Sequence, residues 1–143
     1  MISPYLGTRE HEELFVAICN HIAVVNQQNQ NIGHPYGAMM TVGNLQQGIY
    51  DEYAYFMTKV ANSKVAAAKS QAFSYHQKPG GLYAVIYLKG DYYEAEEAFE
   101  TLLKYIHENE LTPGEFCYKE AVWDELTVHN KEDYITRISI PVK

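Results

Sequence analysis

The chain has 143 residues, of which 47% are hydrophobic and 20% are charged, and this favours one globular domain over a disordered segment. Its formal net charge of −7 argues against nucleic acid as a partner, because no basic cluster is present to neutralise phosphates. There is no signal peptide and no apolar run near ~18 residues, so neither secretion nor a membrane span is predicted and a cytoplasmic protein is expected.

Thirteen tyrosines, against five phenylalanines and one tryptophan, are the most informative feature of the composition. Tyrosine combines apolar area with a polar hydroxyl, which suits a cavity or an interface better than a hydrophobic core. The two cysteines, Cys19 and Cys117, have no motif spacing and are expected to be reduced thiols. The six histidines show no metal-ligand spacing and no phosphate-binding loop occurs, so neither a metal nor a cofactor is predicted.

Hydrophobic periodicity and the breaks at Gly and Pro divide the chain into helices and strands. In chain order the predicted elements are a helix over 8–28, a strand over 36–42, a turn over 43–48, strands over 50–60 and 82–89, a helix over 92–109, and strands over 116–126 and 134–142. Thr8 is the predicted N-cap of the first helix. Tyr53, Tyr55 and Met57 are predicted to share one face of their strand.

The order of these elements repeats, which indicates a duplicated strand–helix–strand–strand unit over about 1–60 and again over 82–143. Residues 61–81 are the connection, with a short extra strand near 72–76. Only residues 1–6 remain for the first strand of the first unit, so that strand is expected to be short. Two such units side by side predict a single α+β domain over 1–143, with an antiparallel sheet and both helices on one face.

The strand over 116–126 carries one residue that its pattern does not explain. Strand alternation places Glu120 on a face with Phe116, Tyr118 and Val122. An ionised carboxylate on an aromatic face is costly unless a cation meets it, so either this face is open to water or a positive charge lies there. Trp123, on the other face, is predicted to pack in the core against a helix unless a β-bulge intervenes.

Three stretches of the second half resemble a known family: GLYAVIYLKGDYYE at 81–94, LKYIHEN at 103–109 and DYITRISIPV at 133–142. They are similar to the GyrI-like effector-binding domain, which forms the ligand sensor of MerR-type and AraC-type multidrug-responsive transcription regulators and also occurs alone. The resemblance is weaker over residues 1–60. It implies a pocket between the two units that binds lipophilic, often aromatic cations, with a buried Glu facing the charge.

The resemblance assigns the pocket acid to Glu120 and aromatic walls to Tyr134 and Tyr92. Tyr36, on the matching strand of the first unit, is a further candidate, with Met40 nearby as an adaptable filler. Strand alternation adds two more candidate lining residues, Tyr83 and Tyr118.

Three functions are therefore considered. The first is a binding module for small lipophilic cations, either as the effector domain of a regulator or as a stand-alone protein. The second is a small-molecule hydrolase in which Glu120 is the general base and a tyrosine the proton donor. The third is a protein-binding module that acts on partners such as DNA gyrase. The expected partner is a small cationic ligand, with neither nucleic acid nor membrane involved, and a homodimer is left open.

Overall fold

The computed structural model of the chain describes residues 1–30, 33, 35–60, 73–124 and 127–143. Within these residues the helices are α1 (His11–Gln27), α2 (Val42–Gln46) and α3 (Glu96–Glu108), and a 3₁₀ turn covers Lys131–Asp133. The strands are β1 (Tyr36–Thr41), β2 (Tyr55–Thr58), β3 (Leu82–Lys89), β4 (Phe116–Trp123) and β5 (Ile135–Val142).

The strands form one antiparallel sheet in the order β2-β1-β4-β5-β3. Its central pair is β1 with β4, which places Gly37 opposite Glu120 and Met39 opposite Tyr118. The α+β class with an antiparallel sheet, predicted from the sequence, is confirmed. A sheet in which β1 and β4 are neighbours is the arrangement expected of two joined units, while the duplication itself stays a prediction.

Both long helices pack on the same face of the sheet. Leu14 of α1 and Phe99 of α3 belong to one buried cluster with Ala38 of β1 and Ile138 of β5. Removing such apolar surface from water stabilises the fold by about 25 cal/mol per Å². We call this the helix side of the sheet.

The opposite face, which we call the open side, has a smaller cluster around Met39 and Tyr118. The side chain of Ile2 belongs to this cluster, and the backbone of Ile2 forms isolated bridges with Met57 of β2 and with Ser74. The short strand expected within residues 1–6 is thus reduced to bridging contacts along β2. Of the extra strand predicted near 72–76, residues 73–76 are described, and Ser74 forms the bridge to Ile2, whereas residues 61–72 of the connection lie outside the described residues.

The first helix starts later than predicted, at His11, and Thr8 does not cap it. The Thr8 hydroxyl accepts the N–H of Glu10 at 3.1 Å and donates to the Glu13 carboxylate at 2.6 Å. It therefore orders the turn that leads into α1. The predicted turn over 43–48 contains the short helix α2, and the strand over 116–126 ends at Trp123, before two residues that lie outside the described part.

The strand predicted over 50–60 is wrong in its first half. The chain bends at Ala54, and β2 begins only at Tyr55. Because of this bend, Tyr53 points to the face of the sheet opposite to the predicted one. Tyr53 is buried on the helix side, whereas Tyr55 and Met57 pack on the open side. Alternation fails here because it holds only while the backbone stays extended.

Candidate functional site

A cleft of about 910 Å³ opens on the helix side of the sheet, between α1 and residues 91–93. We call it the α1 cleft. Apolar side chains of α1, among them Leu14 and Ile18, form one wall, and the ends of β1, β4 and β5 form the floor. Its aromatic lining includes Tyr36, Tyr53, Tyr92, Tyr93, Trp123 and Tyr134.

Strand ends position the polar and aromatic parts of this lining. Tyr36 begins β1, and Tyr134 immediately precedes β5. A bulge in β4 between Ala121 and Trp123 shifts the register against β5. Trp123 lies at the rim with 54% of its surface exposed, so it lines the cleft where core packing was predicted.

The rim carries charged groups that are already paired. Asp91 lies 3.6 Å from the Lys131 ammonium, and its other oxygen accepts the backbone N–H of Tyr93 at 3.0 Å. These two contacts fix residues 91–93 in the turn that precedes α3. The turn places Tyr92 and Tyr93 in the lining, and so α3 begins at Glu96 and not at residue 92 as predicted.

Lys119 lies behind the aromatic wall of the cleft and is 1% exposed. Its ammonium is 3.9 Å from the centre of the Tyr92 ring and 5.7 Å from that of Tyr53. It also lies 5.6 Å from the Phe99 ring and donates a 3.5 Å hydrogen bond to the Tyr53 hydroxyl. Burial lowers the pKa of Lys119 to about 8, against the opposing influence of Cys117 and Asp91.

Glu120 is the next residue on β4, and alternation turns it to the open side. Its carboxylate is 15% exposed and accepts two hydrogen bonds from the Arg137 guanidinium, at 2.7 and 3.1 Å. The Lys78 ammonium lies 3.5 Å from the same oxygen. The cation that the sequence led us to expect near this acid is therefore supplied at least in part by the chain itself.

Lys78 also contacts two of the predicted aromatic residues. Its ammonium lies 4.4 Å from the ring centre of Tyr118 and 5.0 Å from that of Tyr83, and it donates to the Ser139 hydroxyl at 3.3 Å. Burial lowers the pKa of Lys78, and Glu120 opposes that shift. We call Lys78, Tyr83, Tyr118, Glu120 and Arg137 the Glu120 cluster.

The sequence-predicted site residues thus fall into three places. Tyr36, Tyr92 and Tyr134 line the α1 cleft. Glu120, Tyr83 and Tyr118 meet on the open side, so the expectation that the acid shares one cleft with Tyr92 and Tyr134 does not hold in this structure. Met40 is fully buried in the core of the helix side.

Two features of the α1 cleft were missed by the sequence reasoning. Lys119 is not among the residues predicted from the sequence, although a lysine on the helix-facing side of a central strand is itself an unusual signal. Trp123 was recognised as facing the helix side, but its exposure depends on how far α1 extends over the sheet. That distance is not encoded in any local pattern.

Among the described residues, no three metal-ligating side chains of the His, Cys, Asp and Glu types come together. In the same part of the chain, no helix is both long and apolar enough to cross a membrane.

Comparison with known proteins gives two matches. A family profile described as "GyrI-like small molecule binding domain" matches residues 10–143. The "Multidrug-efflux transporter 2 regulator" of Bacillus subtilis (strain 168) is 31% identical over 127 residues, which cover 89% of this chain and 44% of the relative. The chain therefore spans less than half the length of that relative.

Proposed function

This chain belongs to the GyrI-like small-molecule-binding domain family, and from that membership we propose that the α1 cleft is its effector site and holds a lipophilic aromatic molecule. The cleft volume of about 910 Å³ carries the proposal, because small-molecule sites are typically concave, aromatic-lined spaces of roughly 300–1,000 Å³. Tyr36, Tyr92 and Tyr134 supply ring faces for an aromatic ligand. The Tyr92 hydroxyl donates a 3.4 Å hydrogen bond to the backbone carbonyl of Lys119, which holds this ring in the wall of the cleft.

The relative supports a proposal for the biological role. That protein is named as the regulator of a multidrug-efflux transporter. We propose that the present domain likewise reports the presence of a small molecule to a transcription regulator. A broad aromatic wall with few polar groups accepts ligands of several shapes, which suits such a sensor.

The single tryptophan of the chain tests this site directly, because Trp123 lies at the rim of the cleft. Titration with 2-naphthamide, an uncharged aromatic probe, should change the fluorescence of Trp123 in a saturable way. Tyr134→Ala should weaken binding roughly 3- to 10-fold, since an aromatic pair contributes about 0.5–1.5 kcal/mol. Tyr105→Ala, an exposed position on α3, is the matched control and should bind as the wild type does. Equal binding by both variants would exclude the cleft as the site.

A second candidate function places an organic cation at the Glu120 cluster. The supporting observation is the position of Lys78, whose ammonium has two ring faces and one carboxylate around it. Each ring face attracts a cation by roughly 0.5–2 kcal/mol. An external cation would take the place of Lys78, while Arg137 would stay paired with Glu120.

Equilibrium dialysis with benzyltrimethylammonium tests this candidate. Lys78→Ala should strengthen binding, because it removes the internal competitor, and Glu120→Gln should weaken it. Lys104→Ala removes the same charge from an exposed position on α3 and is the control. If Glu120→Gln binds the cation as tightly as the wild type does, the role of this carboxylate is wrong.

A further inference from the structure

The strongest unexplained feature of the molecule is the buried ammonium of Lys119. Its side chain points to the helix side of the sheet from the middle of β4, where the cross-strand partners are Ala38 and Ile138. Lys119 takes part in none of the ion pairs between described residues. Lysine is almost never fully buried without a partner.

The immediate surroundings compensate this charge only in part. Among the described residues, the ammonium donates one long hydrogen bond, 3.5 Å, to the Tyr53 hydroxyl, and its other contacts are ring faces. Ring faces attract a cation less strongly than a carboxylate does, and a buried cation without an anion is costly. The fold therefore keeps a positive charge that an anion would stabilise.

The Lys119 ammonium lies close to the α1 cleft. Tyr53 and Tyr92, whose rings contact the ammonium, are also lining residues of the α1 cleft. Ala121, two residues further along β4 and on the same face, lines the cleft directly. Lys119 therefore contacts two tyrosines that line the α1 cleft, although it is not itself a lining residue.

We propose that Lys119 makes the α1 cleft selective for ligands with a negative charge. The effector is then an aromatic molecule that carries an anionic group such as a carboxylate. The aromatic body packs against the tyrosines of the cleft, and the carboxylate displaces the Tyr92 ring to pair with the Lys119 ammonium. A cationic group at the same place is repelled, and a neutral one leaves the lysine unpaired. This inference rests on the proposed function, since it requires that the α1 cleft bind aromatic molecules.

Two carboxylates from the described part of the chain line the cleft, those of Asp91 and Asp124. Both already have hydrogen-bonding or charged partners, so they do not remove the preference for an anionic ligand. Asp91 is held at the rim by Lys131 and by the N–H of Tyr93. Asp124 accepts a 3.4 Å hydrogen bond from the Thr127 hydroxyl. The charge that is buried behind the aromatic wall is the positive charge of Lys119.

Four groups face or influence Lys119: Tyr53, Tyr92, Cys117 and Asp91. Burial raises the pKa of both tyrosines, and it raises the pKa of the Cys117 thiol to about 12. As the pH rises above 8, the Lys119 ammonium therefore loses its proton before the two tyrosines and the thiol do. The affinity for an anionic ligand should fall on the order of tenfold between about pH 7 and pH 9.5, whereas the affinity for a neutral ligand should stay constant.

Three probes with one ring system separate the charge from the aromatic body: 2-naphthoate, 2-naphthamide and 2-naphthylmethylammonium, each titrated against Trp123 fluorescence. The wild type should bind the naphthoate roughly tenfold more tightly than the amide, and the ammonium most weakly. Lys119→Met should weaken naphthoate binding roughly tenfold and leave amide binding unchanged. Lys104→Met removes an exposed lysine of α3 and should preserve the wild-type order.

The outcomes distinguish the two proposals. If none of the probes binds, the proposed function of the cleft is wrong. If the amide binds but the naphthoate binds no better, or the ammonium binds best, the cleft is a ligand site and the role of Lys119 is overturned. The probe order and its pH dependence in the wild type decide the matter even if Lys119→Met does not fold.

Discussion

Opposite charges occupy successive positions of β4 and act on opposite sides of the sheet. Glu120 meets Arg137 across the strand pair, because directly opposed residues in a sheet share a face. Lys119 meets only aromatic rings and a tyrosine hydroxyl. One peptide bond therefore separates a carboxylate that the chain has paired from an ammonium that it has not.

A second buried ionisable group, His21 of α1, contributes to the pH dependence of stability. The residue is fully buried, and its Nε2 lies 2.8 Å from the Thr58 hydroxyl. Burial lowers the pKa of His21 from 6.5 to about 4, so the folded state keeps the ring neutral over this range while the unfolded state binds a proton. The free energy of unfolding should therefore fall by about 3 kcal/mol as the pH drops from 7 to 4.

Urea denaturation at pH 7 and at pH 4.5 measures this effect. His21→Gln should flatten the difference between the two midpoints, because it removes the group that titrates. His107→Gln, at an exposed position in the last turn of α3, should leave the wild-type difference unchanged. A wild-type-like pH dependence in His21→Gln would show that other groups are responsible.

At the scale of elements, the pairing of β1 with β4 depends on Gly37. A Cβ at this position would lie 2.6 Å from the carbonyl oxygen of Lys119 and 2.9 Å from the methyl carbon of Met57. Gly37→Ala should therefore force β1 away from β4 and destabilise the protein by about 1–3 kcal/mol, measured by chemical denaturation. It should also weaken probe binding, because Gly37 lines the α1 cleft.

Gly43 offers the matched control. It lies inside the helix α2, and a Cβ there would meet nothing within 4 Å. Gly43→Ala should be neutral or stabilising by about 0.5–1 kcal/mol, since alanine favours the helical backbone. Equal stability of Gly37→Ala and Gly43→Ala would contradict the close approach of β1 and β4.

The strands and helices differ in how well their ends could be predicted. The bounds of β3, Leu82–Lys89, agree with the prediction, because a continuous apolar run lies between two turn-forming glycines, Gly81 and Gly90. The helix α3 begins four residues late, because the contacts of Asp91 hold Tyr92 and Tyr93 in a turn. The hydrophobic periodicity of the sequence extends through that turn, and so it predicted a helix that begins too early.

At the scale of the whole molecule, one sheet separates two chemically different surfaces. The helix side carries the α1 cleft with a positive charge behind its aromatic wall. The open side carries a carboxylate among tyrosines, with Lys78 and Arg137 as its internal cations. Trp123 fluorescence therefore reports on the helix side, and the Lys78 and Glu120 variants report on the open side.

The sequence by itself determined the α+β class, the antiparallel sheet with both helices on one face, and the family, because these depend on local periodicity and on motifs that are contiguous in the chain. It also identified Tyr36, Tyr92 and Tyr134, which lie together in the α1 cleft.

Only the tertiary structure decided which face holds the cleft and what meets each charge. Glu120 finds Arg137 and Lys78, which lie 17 and 42 positions away along the chain, and Lys119 finds the ring of Tyr92, 27 positions away. Such contacts are set by strand register and by the placement of α1 and α3 over the sheet. The energetic cost of a buried charge depends on those distant neighbours. For this reason Glu120 has cationic partners within the chain, whereas, among the described residues, the adjacent Lys119 has only aromatic rings and a tyrosine hydroxyl around it.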